Sequence, residues 1–524
     1  MTKTQNNVRT RIAPSPTGEP HIGNMYVALV NWALARQTGG QFLVRIEDTD
    51  RSRFVEGAEQ MFLDALAWLG LDHDEGPDVG GPAGPYRQSE RLDLYRREVD
   101  RLLASGHAYR CFCTPERLAE VRKARQKAGG EQTGYDRLCR GLAPGEVEKK
   151  LAAGEKATVR LAVPLEGETR FEDGVRGDIV VRNATIDDQV LLKSDGYPTY
   201  HLASVVDDHA MRITHVVRAE EWIISTPKHI LLYEALGWTP PQFFHLPLIR
   251  NPDRSKLSKR KNPTNVLWYR EQGYLPEAVT NFLGMLGHSM PDGREIFSRD
   301  EFLAEFSLAR VGTTGPVFDM EKFEWLNGEW IRRLPLGDLA ARLKAEGFAP
   351  KAILEKFAGP GAPGFLAVVR LMQERLRRLN EFADATAFFV ERLPYDPTYL
   401  VPAKKEKPVK TAAETLVALE RLRAALAALR QAQGGPEHGR GAAAPASAVG
   451  EADGPAWEAK ALEELVRALA GDLGWKPADL FMSLRVAVTC RKVSTPLFET
   501  MEILGREECL ARLDGALDKA KSLA

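Results

Sequence analysis

The sequence predicts an α/β amino-terminal half interrupted by an α+β insertion, followed by an all-α carboxy-terminal half. Three observations carry this. Val8 to Asp50 reads as strand, turn, helix and strand; strand-like runs return after residue 190 and end in Arg218-Ala219-Glu220-Glu221-Trp222; beyond Asn262 the apolar residues fall only at helical spacing. A chain of 524 residues is too long for one core, and roughly three to five domains are expected.

Val8–Ala13 is an apolar strand, and Pro14 to Pro20 a Pro/Gly-rich turn. His21-Ile22-Gly23-Asn24 opens a helix that runs to about Gln37, Gly39-Gly40 ends it, and a second strand, Phe42–Ile46, delivers Glu47-Asp48-Thr49-Asp50. Open α/β sheets bind ligands at the carboxyl ends of their strands, where these polar groups gather, so a nucleotide site is expected. The helix start offers unpaired N–H groups to a phosphate. Gly23 lets a flat ring lie against the backbone, and His21 supplies a donor to a phosphate whose charge grows in the transition state. Taken alone, His-x-Gly reads first as a surface histidine capping a helix, and only its context points to chemistry.

Val55–Leu69 has amphipathic helical spacing closed by Gly70, Asp74–Tyr86 is loop, and Arg91–Ser105 is a helix. From Tyr109 to about Val190, short β-like runs (Ala157–Val163, Asp178–Arg182) stand among charged loops, the pattern of an insertion. Cys111, Cys113 and Cys139 in it are three soft ligands of zinc type; three reduced thiols without metal are the alternative. The main sheet is expected to resume with Val190–Lys193, continue through Asp195–Ala203 and Val205–His209, and end with Ile213–Val217. Arg218, Glu220 and Glu221 then lie at a strand's carboxyl end. Pro247 to Lys261 holds a cationic loop, readable as an exposed turn or as a mobile arm that brings an ammonium to a leaving phosphate.

Helices follow at Leu275–Leu286, Arg299–Phe306, Met320–Trp330 and Leu336–Glu346, and one from Leu366 to Phe382 carries Arg370, Arg375, Arg377 and Arg378. Gln431–Ala456 is low-complexity and nearly without bulky apolar residues, so a flexible insertion is expected before helices return from Trp457 to Ala524.

Hydrophobic content of 44% and charged content of 27% are those of a soluble globular protein, and a net charge of −1 leaves RNA binding to local patches. The amino terminus lacks the apolar core of a signal peptide and no run has the length of a membrane span, so a cytoplasmic protein without membrane contact is expected. Five cysteines, three of them clustered, argue against a disulfide framework.

His21-Ile22-Gly23-Asn24 resembles the first signature of class I aminoacyl-tRNA synthetases, and the preceding Arg11-Ile12-Ala13-Pro14-Ser15-Pro16-Thr17-Gly18 is similar to the glutamyl family in particular. Asn24 stands where that signature has a second histidine. Ser255-Lys256-Leu257-Ser258-Lys259-Arg260 resembles the second signature.

The resemblance implies a Rossmann-type catalytic domain (1–108 and 191–255) split by an acceptor-binding insertion (109–190). A stem-contact domain (256–335) and two helical anticodon-binding domains (336–390 and 391–524) would follow. It implies ATP with Mg²⁺, L-glutamate and tRNA(Glu) as partners, and we expect a monomer. By resemblance His21, Lys256 and Lys259 are catalytic, and ATP is bound by His21, Gly23, Asn24, Glu221, Trp222 and Lys259. Arg11 and Arg218 take the glutamate side-chain carboxylate and Glu47 the α-ammonium, with Ser15 and Tyr200 adding polar contacts. Thr49, Asp50 and Arg375 meet tRNA, Tyr135 completes a zinc set with the three cysteines, and Ser204 replaces an asparagine that several relatives carry. Arginine forks suit a ligand with two carboxylates. Glutaminyl and glutamyl-queuosine-type relatives, or a catalytically inactive RNA-binding paralogue, are the alternatives.

Overall fold

The computed structural model describes residues 8–128, 134–257, 262–359, 364–405, 407–429 and 456–524. It divides into two compact units, residues 1–271 with 276–323, and residues 272–275 with 324–524. In the first, β1 (Arg9–Ile12) pairs in parallel with β2 (Gln41–Val44) through the helix α1 (Ile22–Gln37), with Arg11 opposite Leu43. Eleven side chains of α1, Ile22 to Ala35, are buried, which explains a helix apolar on almost every face. The helix α2 (Ala58–Leu69) begins three residues later than its apolar spacing suggests. Gly57, at φ 79°, makes the left-handed entry, and the Val55 N–H is taken by the Pro16 carbonyl, so Val55 belongs to the preceding loop.

After α3 (Leu92–Ala104) the chain enters the insertion: β3 (Ala108–Cys111), α4 (Pro115–Ala128), α5 (Pro144–Ala152), β4 (Thr158–Leu161), β5 (Glu168–Asp173), β6 (Gly177–Arg182) and β7 (Val190–Leu192). Here the expected strand order needs correction. Val190–Leu192 does not resume the main sheet; it closes a three-stranded sheet β3-β4-β7. The hairpin β5–β6 joins the main sheet instead, in the order β6-β5-β9-β8, where β8 is His215–Ala219 and β9 is Gln242–Leu246.

A second correction concerns Tyr200–Ala210, which forms a helix, α6, where strands were expected. Leu202 to Asp208 are all buried, and a short run enclosed on every side has no period with which to tell helix from strand. The helix α7 (Thr226–Leu236) connects β8 to its parallel neighbour β9. Hydrogen bonds between Thr214 and Arg9 (Thr214 N–H to Arg9 O, 3.0 Å; Arg9 N–H to Thr214 Oγ1, 2.8 Å) stitch the β1 edge to the β8 edge. Strand order reverses at that seam, where open α/β sheets form their ligand crevice.

The helices α8 (Val266–Glu271), α9 (Pro276–Met285) and α10 (Arg299–Glu305) complete the first unit, and α11 (Met320–Arg333) carries the chain into the second. There follow α12 (Leu336–Ala345), α13 (Lys351–Lys356), α14 (Phe365–Gln373), α15 (Glu381–Thr386), α16 (Ala412–Ala427), α17 (Ala459–Asp472), α18 (Pro477–Thr489), α19 (Leu497–Leu504) and α20 (Arg506–Lys521). The single helix expected over Leu366–Phe382 is therefore two. Long-range bonds hold the break: Asn327 donates to the Arg377 carbonyl and the Leu379 N–H to the Gly273 carbonyl, while Glu381 accepts the Arg377 N–H. The stretch Gln431–Ala456 lies, save for Ala456, outside the described residues.

Candidate active site

Two adjoining cavities open at the β1–β8 seam. The larger, about 570 Å³, takes in Arg11, Ser15, Glu47, Tyr200, Arg218 and Trp222 among its lining residues, with Thr49 and Asp50 also on its wall. The smaller, about 180 Å³, is formed by His21, Gly23, Tyr26, Pro247, Lys256 and Leu257 among others. Asn24, Val27, Ala219 and Glu221 line both. Asn24 thus stands on the partition between the two spaces.

His21 caps α1, and its Nδ1 accepts the Gly23 N–H at 3.0 Å. An accepting Nδ1 leaves the ring proton on Nε2, so the imidazole is set up as a donor. The strand-like contact of His21 with Asn265 and the bond from Ile22 N–H to the Thr264 carbonyl tie the helix start to the segment that follows the cationic loop. Lys256, on the near side of that loop, forms an ion pair with Glu221. Lys259 lies outside the described residues.

The two arginines expected to serve one carboxylate have different surroundings. Arg11 directs Nε and Nη2 to the two oxygens of Asp208, at 3.0 and 3.3 Å. Asp208 also accepts from Arg45 at 2.6 Å, and Arg45 reaches Glu47 at 3.2 Å and Asp207 at 3.7 Å. Asp207 in turn is held by Arg91, Gln88 and Tyr95. Beneath the cavity floor, three guanidiniums face three carboxylates. Burial opposes the charge on Asp208, but Arg11 and Arg45 hold its carboxyl below the usual range. Burial wins at Glu47 and raises its pKa, with Arg45 and Arg11 pulling the other way.

Arg218 is only 5% exposed, yet no carboxylate pairs with it among the described residues. Its guanidinium donates to Tyr200 Oη (2.8 Å), Thr226 Oγ1 (2.9 Å) and His245 Nε2 (3.0 Å), with His229 Nδ1 at 3.4 Å. The Trp222 carbonyl accepts a further bond at 3.4 Å, and all five partners are neutral. Burial, reinforced by Arg218 itself, pushes the His229 pKa well below the usual value, and His201, 3.2 Å from His229, is pushed down to about 3 by burial and by Lys228 and Arg218. A buried cation satisfied only by neutral acceptors is costly unless a ligand supplies the anion. The arrangement therefore favours an anionic ligand beside Arg218.

Known proteins match along nearly the whole chain. Residues 7–325 match the family described as tRNA synthetases class I (E and Q), catalytic domain, and residues 336–434 and 447–517 match an anticodon binding domain. The chain belongs to the class I tRNA synthetases of the glutamate and glutamine group. The synthetase is 50% identical to the glutamate–tRNA ligase of Acidothermus cellulolyticus over 97% of its own length and 94% of the relative's. It is 46% identical to that of Thermus thermophilus over 97% and 100%. Among solved structures, a glutamate tRNA ligase of Elizabethkingia meningosepticum in complex with its amino acid superposes with a TM-score of 0.83 at 33% identity, covering 99% of this chain and 100% of the other.

Other residues expected at the synthetase's sites lie as follows. Trp222 packs on Tyr200, ring centroids 4.3 Å apart. Ser15 is exposed on the cavity rim. Thr49 accepts a bond from Lys193 through its carbonyl, and Asp50 is occupied by Ser52 and Arg53. The Ser204 hydroxyl is buried, has no hydrogen-bond partner among the described residues, and is not on the cavity wall. In the helical unit, Arg375 is exposed in the break between α14 and α15, close enough to Arg485 to add to the burial that lowers the latter's pKa. In the insertion, the Cys111, Cys113 and Cys139 sulfurs lie within 4.8 Å of one another. Tyr135 Oη is 3.3 Å from Cys111 Sγ and 3.5 Å from Cys113 Sγ, and Cys113 and Cys139 are 3.6 Å apart. Tetrahedral zinc–thiolate bonds place sulfurs about 3.8 Å apart, so these donors fit a structural zinc ion.

Arg45, Asp207, Asp208, His229 and His245 went unnoticed as site residues in the sequence. One signal was available: Arg45 interrupts the apolar run Phe42-Leu43-Val44, and a charge in a buried strand demands a buried partner.

Proposed function

We propose that this synthetase joins L-glutamate to the 3′ end of tRNA(Glu), using ATP with Mg²⁺ through a glutamyl-adenylate, and that it works as a cytoplasmic monomer. The observation that carries the choice of amino acid is Arg218, a buried guanidinium in the cavity with no carboxylate of its own. A glutamate side-chain carboxylate would neutralise it; a glutamine amide would not. Arg11 shapes the same end of the cavity while sharing its charge with Asp208, and Glu47 receives the α-ammonium.

Activation is an in-line displacement. An oxygen of the glutamate α-carboxylate attacks the α-phosphorus of ATP; the new P–O bond forms as the bond to the β-phosphate oxygen breaks and pyrophosphate leaves. His21 Nε2–H and the first N–H groups of α1 meet the charge gathering on the α-phosphate, and Gly23 leaves room for the adenosine. Lys256, with Lys259, meets the departing pyrophosphate. Mg²⁺ accompanies the triphosphate and neutralises part of its charge. The ribose hydroxyl of the terminal tRNA nucleotide then attacks the acyl carbon and AMP leaves. No side-chain nucleophile is needed; the residues position and stabilise. Thr49 and Asp50 face the acceptor end, and Arg375 the anticodon. Cys111, Cys113, Tyr135 and Cys139 hold a zinc ion that braces the insertion.

ATP–pyrophosphate exchange, run with and without tRNA, tests this. Exchange with glutamate and not glutamine is expected. Exchange with glutamine alone would reassign the substrate, and no exchange in either condition would make the chain an inactive RNA-binding relative.

A further inference from the structure

We infer that His245, oriented by Asp173, is a positioning residue that sets the preference of this cavity for a carboxylate by giving Arg218 a neutral acceptor in place of a counter-ion. The inference rests on the reading of the cavity as a glutamate site.

Arg218 and His245 are register partners on the parallel strands β8 and β9, so their side chains lie side by side on one face of the sheet. Arg218 Nε donates to His245 Nε2 at 3.0 Å, and His245 Nδ1 lies 2.5 Å from Asp173 Oδ2. The side chains of both His245 and Asp173 are wholly buried. A guanidinium nitrogen cannot accept, so His245 Nε2 must present its lone pair; the ring proton then sits on Nδ1, where the carboxylate receives it. The imidazole is thereby neutral and held in one tautomer and one orientation.

The consequence lies in what this keeps away from Arg218. A carboxylate in van der Waals reach of the guanidinium, as Asp208 is for Arg11, would compete with the ligand for its charge and donors. Here Asp173 stands one imidazole away. It fixes the ring without occupying the fork, and Tyr200, Thr226 and His229 likewise contribute only neutral acceptors. The positive charge is left for the ligand, and an uncharged amide gains much less from it.

Asp173 is the last residue of β5, in the hairpin that the insertion adds to the main sheet, where it pairs with Phe243 on β9. Its other oxygen accepts the N–H groups of Val175 and Arg176 at 3.1 and 3.0 Å. The inserted segment thus contributes directly to holding the amino-acid pocket.

Two amide substitutions in the full-length protein separate this role from simple packing, because an asparagine amide reaches the position of Nδ1 and a glutamine amide that of Nε2. In ATP–pyrophosphate exchange with tRNA present, H245N keeps the Asp173 contact and loses the acceptor for Arg218. Its KM for glutamate should rise about tenfold or more, the loss of one hydrogen bond to a charged group, while its KM for ATP stays within about twofold. H245Q should keep the glutamate KM within about threefold of the parent. D173N, which preserves the turn, should move the glutamate KM in the same direction as H245N. A glutamate KM unchanged in H245N, or raised equally in H245N and H245Q, overturns the inference. Failure of the parent to exchange with glutamate would instead overturn the glutamate reading on which it rests.

Discussion

Replacing Arg218 with glutamine should separate function from stability, and replacing Arg45 with glutamine should not. Arg45 is fully buried against Asp208, Glu47 and Asp207 at 2.6, 3.2 and 3.7 Å. Its removal leaves Glu47 without its ion-pair partner and Asp208 and Asp207 with only Arg11 and Arg91, a loss of about 3–5 kcal/mol. For a unit of this size that lowers the melting temperature by roughly 4–8 °C. Arg218 has no such partners. R218Q gives up hydrogen bonds to five neutral acceptors but removes a desolvated charge, and the two effects offset to within about 1–2 kcal/mol. The same change removes the ligand's counter-ion, which costs about 2–5 kcal/mol of binding, or roughly 30- to 5,000-fold in kcat/KM for glutamate. Thermal unfolding of both variants, beside glutamate-dependent pyrophosphate exchange, tests this. If R218Q melted as far below the parent as R45Q, or kept kcat/KM within about threefold, the distinction between the two arginines would be wrong.

The catalytic unit should lose stability on acidification. The His201 pKa is about 3 in the folded protein against 6.5 for the free side chain, so below about pH 6.5 the unfolded chain binds more protons. Stability falls as the pH drops from about 6.5 toward 3, by up to about 1.4 kcal/mol per pH unit per histidine. His229 adds to the same trend. H201Q should flatten the slope seen in denaturant titrations between about pH 6.5 and 5, and an identical slope would refute the assignment. Gly23→Ala adds a Cβ about 3.0 Å from His21 Nδ1. It should leave the melting temperature unchanged or slightly higher, as Gly→Ala does in a helix, while raising the KM for ATP about tenfold; an unchanged KM would remove Gly23 from the ATP site. Protein purified in the presence of zinc should carry about one ion per chain and C139S much less. Absence of metal from the parent would leave the cluster as three free thiols.

The first βαβ unit was legible because its signals are local: a turn rich in proline and glycine, an opening histidine, and the glycines after Gln37. Helix α6 was not, since Leu202 to Asp208 are enclosed on all sides and offer no period to read. The break between α14 and α15 depends on Asn327 and Gly273, far away in the chain, and no local breaker announces it. The pairing of Val190–Leu192 with β4 was hidden for the same reason, because sheet partners are set by tertiary contacts. At the site, motif spacing brought out the residues that line the cavities. The ones behind them, Asp208 under Arg11 and His245 beside Arg218, are known only once segments 197 and 27 positions apart in the chain meet.

A buried cation with no counter-ion of its own, Arg218, should select glutamate over glutamine. Charging of unfractionated tRNA by the parent protein, with labelled L-glutamate and L-glutamine offered side by side at equal concentration, tests it most directly. Acylation with glutamate is expected, and none above background with glutamine. Comparable charging with both amino acids, or charging with glutamine alone, would contradict it.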